Sequence, residues 1–119
     1  MLVGIDIDGT VDAYPDEFRA LMQAIRSSGN DVVILTGCSK EKVTPEDITA
    51  KKEYLANLGC AECYDSLVVF AHPPEKEKAK WIEENDVDIL IDNDRKNCQL
   101  ASKSCLCLLP WQTRKGKKN

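Results

Sequence analysis

No stretch of this 119-residue chain approaches the run of about 18–20 apolar residues that a membrane-crossing helix needs. A spanning protein is therefore set aside, and no membrane partner is expected. The N-terminus carries no basic segment ahead of its apolar run and meets an acid at Asp6. Leu2–Ile5 is thus expected as a strand rather than a signal peptide, with a cytoplasmic location. Internal repeats, low-complexity segments and internal linkers are missing too, and the length fits one domain. Histidine occurs once, at His72, where it is expected as a loop residue outside the chemistry.

What is present divides unevenly. The formal net charge is −4, yet residues 114–119 carry four positive charges and no acid, which leaves residues 1–113 at about −8. An acidic body argues against a broad nucleic-acid face. Residues 1–113 are expected as the folded domain and 114–119 as a basic flexible tail. The six cysteines include Cys60-x-x-Cys63 and Cys105-x-Cys107, but no clean second Cys-x-x-Cys completes a zinc set. Reduced thiols packed as small apolar groups are expected.

Hydrophobic residues make up 43% of the chain and fall in short runs, each ending on a polar residue or a proline. Leu2–Ile5 ends in Asp6, Val32–Leu35 in Thr36 and Gly37, Leu67–Ala71 in His72, Ile89–Ile91 in Asp92, and Cys105–Leu109 in Pro110. Runs without period-two alternation are the mark of strands covered on both faces. Between them, Phe18, Leu21, Met22 and Ile25 keep helical spacing and are followed by Gly29. Thr44 and Pro45 form a helix start with acids in the first turn, ahead of Ile48, Leu55 and Leu58. Pro74–Asn85, with Ala79 and Ile82 inward, and Asp94 to about Lys103 complete the set. Alternation of strand and helix with short connections predicts a three-layer, doubly wound α/β fold on a mainly parallel five-stranded sheet.

In such sheets ligands bind beyond the carboxyl ends of the strands. Asp6 and Asp8, Thr36 and Gly37, and Asp92 and Asp94 all fall there. Four carboxylates converging on one crevice would repel one another unless a cation sat among them. Oxygen-only ligands suit a hard ion, and Mg²⁺ commonly takes one or two carboxylates plus waters and a phosphate oxygen. The residues alone thus predict a magnesium–phosphate site.

The segment Val3–Thr10, with Asp6-x-Asp8-Gly9-Thr10, resembles the D-x-D-G-T signature of the haloacid dehalogenase superfamily. Val32–Gly37 is similar to its second motif, Asp92 after Ile89–Ile91 to its fourth, and Lys78 stands where small members carry a third-motif lysine. The resemblance implies a Rossmann-like hydrolase, a phosphatase working through an aspartyl-phosphate. In it Asp6 is the nucleophile and Asp8 the general acid and base. Thr36 and Lys78 hold the phosphoryl group, Gly9, Thr10, Gly37 and Cys38 line the substrate, and Asp6, Asp8 and Asp92 bind Mg²⁺. Lys76 and Lys80 compete with Lys78 for the site position. Asp94 or Asn93 is expected to serve the metal through water, with Asp94 alternatively capping a helix, and Asp12 is open between a substrate contact and a cap.

Short connections after the first and second strands leave no room for a substantial cap. An open crevice of that kind suits a nucleotide or a nucleic-acid terminal phosphate, or a pocket completed by another subunit of a homo-oligomer. The alternative is a non-catalytic domain of the same fold that binds phosphate or a protein. A receiver-type phosphoacceptor fits less well, because such domains carry their aspartate after a later strand.

Overall fold

Each apolar run becomes a strand. The computed structural model describes residues 1–111, so the basic run 114–119 lies outside the described residues. The strands are β1 (Leu2–Ile5), β2 (Asp31–Gly37), β3 (Ser66–Phe70), β4 (Ile89–Ile91) and β5 (Leu106–Leu108). The helices between them are α1 (Pro15–Ser27), α2 (Pro45–Asn57), α3 (Glu75–Glu84) and α4 (Arg95–Ala101). The sheet is parallel throughout, in the order β3-β2-β1-β4-β5.

The lack of alternation in the strands has a direct cause. Val32 and Ile34 pack with Phe18 and Met22 of α1 and Leu55 of α2. Val33 and Leu35 pack on the other side with Ile82 of α3 and Ala101 of α4. Both faces of β2 are dry, which gives three layers. At roughly 1.5–3 kcal/mol for each fully buried aliphatic side chain, the two clusters dominate the stability of the fold. Cys60 and Cys63 belong to the first cluster, as small apolar packing predicts. Gly4 faces the second layer, and a Cβ there would stand 2.7 Å from Leu35 Cδ1.

Local signals set the helix ends. Thr44 caps α2 through a reciprocal pair: its side chain accepts from the Asp47 N–H, and the Asp47 carboxylate accepts from the Thr44 N–H. Gly29, at φ +87°, closes the C-terminal end of α1. Asp94 caps α4, its Oδ1 accepting from the N–H groups of Lys96 and Asn97 at 2.8 and 3.1 Å. That settles the open question about Asp94 in favour of capping. α4 ends at Ala101, earlier than expected, and β3 is displaced by one residue, running from Ser66 to Phe70. In α3 the inward face is carried by Lys78 and Ile82, while Ala79 is only half-buried.

The register determines what meets at the carboxyl edge. Ile5 stands beside Ile34 on one side and Ile91 on the other. The residues after Ile5 and Ile91, Asp6 and Asp92, therefore leave the sheet at one level, while β2 runs on to Gly37. The Asp6 N–H donates to the Ile91 carbonyl at 3.0 Å, tying the two acidic strand ends together.

Candidate phosphate-binding cavity

Beyond Ile5 the chain turns through Ile7–Val11. Asp8 is extended there (φ −67°, ψ 120°) and Gly9 takes φ +76°, ψ 1°. The positive φ favours glycine, and a Cβ at position 9 would also run into the Asn93 carboxamide. Gly9→Ala is expected to lose roughly 1–3 kcal/mol in a urea titration. A loss below about 0.5 kcal/mol would show that the turn relaxes freely. Asp12 neither caps α1 nor reaches the cavity. Its Oδ1 accepts from the Gly9 N–H at 2.7 Å, and its Oδ2 accepts from the Tyr54 hydroxyl of α2 at 2.8 Å. That bond and partial burial push the Tyr54 hydroxyl up to about 12.

At the centre lies a buried ion triad. Lys78 Nζ donates to Asp92 Oδ2 at 2.7 Å and to Asp6 Oδ1 at 3.3 Å. Asp92 and Thr36 are fully buried, Lys78 is 2% exposed and Asp6 7%. Both Asp92 oxygens are occupied: Oδ1 accepts from the Asp94 N–H, and Oδ2 from Asn97 Nδ2 as well as Lys78. Asp6 is less well compensated. Burial raises its carboxyl to about 7; Lys78 opposes the rise and Asp92 adds to it. Asn97 Oδ1 is buried without a hydrogen-bond partner among the described residues.

Above the triad opens a cavity of about 500 Å³, whose walls include Asp6, Asp8, Gly37, Cys38, Lys51 and Lys78. It sits where β1 and β4 diverge to connections on opposite faces, the position at which open α/β sheets bind ligands. Lys51, from α2, reaches within 3.7 Å of Asp8 Oδ2, and the Asp8 side chain is 67% exposed. Several expected residues fall elsewhere. The Thr36 hydroxyl turns to the Gly37 carbonyl at 3.4 Å, and Thr10, fully buried, donates to Asn93 Oδ1 at 3.4 Å. Gly9 lines a neighbouring cavity instead. His72, expected outside the chemistry, stands on the cavity wall with Ser39, Asn93 and Asn97. Lys51, Ser39 and Asn97 were missed by motif reasoning, whereas Asn93 had been named beside Asp94.

Three of the four expected carboxylates, Asp6, Asp8 and Asp94, line this one cavity. Asp92 is buried against Lys78 and Asp6, Asp8 lies 3.7 Å from Lys51, and Asp94 also caps α4. Lys78 supplies the positive charge for which magnesium was invoked. No group of three or more His, Cys, Asp or Glu side chains among the described residues is arranged to hold a metal ion.

The fold has a solved counterpart. A universal stress protein crystallised in complex with cAMP matches at TM-score 0.58 and 14% identity, over 92% of this chain and 96% of that one. No family model matches the chain, and no curated protein matches it in sequence. At that identity the match establishes the Rossmann-like α/β fold. It corrects the assignment to the haloacid dehalogenase superfamily, and with it the hydrolase and phosphatase reading built on an Asp6 aspartyl-phosphate. One of the signature letters has a physical source besides ancestry: the turn after β1 takes position 9 through positive φ, which favours glycine.

Proposed function

We propose that the chain is a binding domain that holds a small phosphate-bearing ligand of the nucleotide class without turning it over. The carrying observation is the roughly 500 Å³ cavity at the sheet's switch point, with the Lys51 and Lys78 ammonium groups on its walls. The lysines serve a phosphate as cationic donors. The unpartnered Asn97 Oδ1 supplies an acceptor for a ligand hydroxyl. The cAMP bound by the structurally similar universal stress protein supports the same ligand class. Because Asp6, Asp8 and Asp94 outnumber the two lysines on the wall, Mg²⁺ belongs to this proposal as the ligand's counter-ion.

Calorimetric titration with cAMP and with nucleoside mono- and triphosphates, with and without Mg²⁺, tests the proposal. Saturable one-to-one binding is expected, weakened about tenfold by Lys51→Ala, the loss of about 1.4 kcal/mol from one charged contact. A phosphate-release assay on the same samples should stay at background. Absent binding would remove the proposal. So would Mg²⁺-dependent release abolished by Asp6→Asn, which would make the domain an enzyme.

A further inference from the structure

A second cavity of about 290 Å³ lies beside the first, lined by Gly9, Ala13, Tyr14, Asn93, Arg95, Leu109, Pro110 and Trp111. Its character differs from that of the phosphate cavity. Two aromatic side chains, Leu109 and Pro110 supply its apolar surface, and the charged group on its wall is the Arg95 guanidinium. Asn93 lines both cavities, so the two meet across one side chain. Asn93 Oδ1 accepts from the Thr10 hydroxyl, which leaves the Nδ2 hydrogens free to donate. Trp111, three residues beyond the edge strand β5, is 77% exposed although it lines this cavity. A large indole left in water beside a guanidinium is a surface suited to a flat π-system.

Resting on the phosphate reading above, we propose that this second cavity is the nucleobase subsite of the same ligand. The phosphate occupies the lysine-bearing cavity, and the base lies against Tyr14 and Trp111. Arg95 and Asn93 Nδ2 face the base as hydrogen-bond donors. Both donate, so they select base edges rich in acceptors, such as the O6 and N7 of guanine. The ligand is then a nucleoside phosphate rather than a sugar phosphate, and a guanine nucleotide before an adenine one.

Calorimetric titration of the full chain with GMP, AMP, ribose 5-phosphate and inorganic phosphate tests this. GMP is expected to bind at least about tenfold tighter than ribose 5-phosphate, because stacking a base on an aromatic ring contributes on that scale. Trp111→Ala should erase most of that preference and leave ribose 5-phosphate affinity unchanged, while Trp111→Phe should retain it. Arg95→Ala should bring GMP down to the level of AMP. Equal binding of GMP and ribose 5-phosphate by the unaltered chain overturns the base subsite and leaves the phosphate cavity standing. A Trp111→Ala chain that loses both ligands equally overturns it as well, since the indole would then only support the fold. If no phosphate compound binds, the phosphate reading fails and the base subsite falls with it.

Discussion

Replacing Lys78 by methionine should remove roughly 3–5 kcal/mol of folding stability at neutral pH, the cost of stripping a buried ion pair of one partner. The ammonium is 2% exposed and donates to two carboxylates, at 2.7 and 3.3 Å. Methionine fills much the same volume, so the loss isolates charge from packing. Without the cation, Asp6 and Asp92 face each other in a low-dielectric pocket. One of them must then take up a proton, or water must enter. The deficit should therefore shrink as pH falls from 8 to 5, because protonation of Asp6 relieves the repulsion. Adding Asp92→Asn to Lys78→Met should recover part of the loss, since the second variant removes the orphaned charge. Guanidinium unfolding at several pH values measures all three effects. A deficit under about 1 kcal/mol, flat with pH, would mean that the triad is open to water.

The Asp6→Asn chain should move the other way and gain stability, by roughly 2 kcal/mol at pH 8. The folded carboxyl lies near 7 against an ordinary value of 3.8. Between those values the folded chain holds a proton that the unfolded chain has released, so the contribution of Asp6 to stability is full below about 3.8. It declines as pH rises and is lost above about 7. That displacement sets a ceiling of about 4 kcal/mol at ~1.4 kcal/mol per pH unit, and relaxation around the charge brings the expectation to about half. An asparagine never ionises, so the variant escapes the decline. Its advantage should be largest at pH 8 and nearly gone at pH 4, as read from denaturation midpoints in EDTA. An advantage that grew toward acid would reverse the sign and exclude a raised carboxyl. A charge kept at such a cost is what binding sites commonly show, where stability is given up for function.

The architecture was legible because β1, β2 and β4 are covered on both faces and therefore read as unbroken apolar runs. Thr44, Pro45 and Gly29 marked helix ends by chemistry that acts locally, and the structure places each where its side chain or φ requires. The choice among Lys76, Lys78 and Lys80 was also within reach. Lys78 lies four residues before Ile82, on the face that α3 turns inward, while Lys76 and Lys80 stay in solvent. What could not be read was charge balance between distant elements. Lys78 was named from the sequence as a partner for phosphate, but its ion pairs with Asp6 and Asp92 were not legible there. Nor was the 3.7 Å approach of Lys51 to Asp8. Lys51 left no trace in the sequence because its place depends on how α2 packs against β3, a relation without a local pattern.

The carboxylate of Asp12 behaves as a strut. By holding the Gly9 N–H with one oxygen and the Tyr54 hydroxyl with the other, it clamps the turn that carries Asp8 to the helix that carries Lys51. Asp8 and Lys51, 3.7 Å apart on the cavity wall, are thus mounted on elements joined by one brace. Shortening that strut would disturb ligand capture without altering a single group the ligand touches.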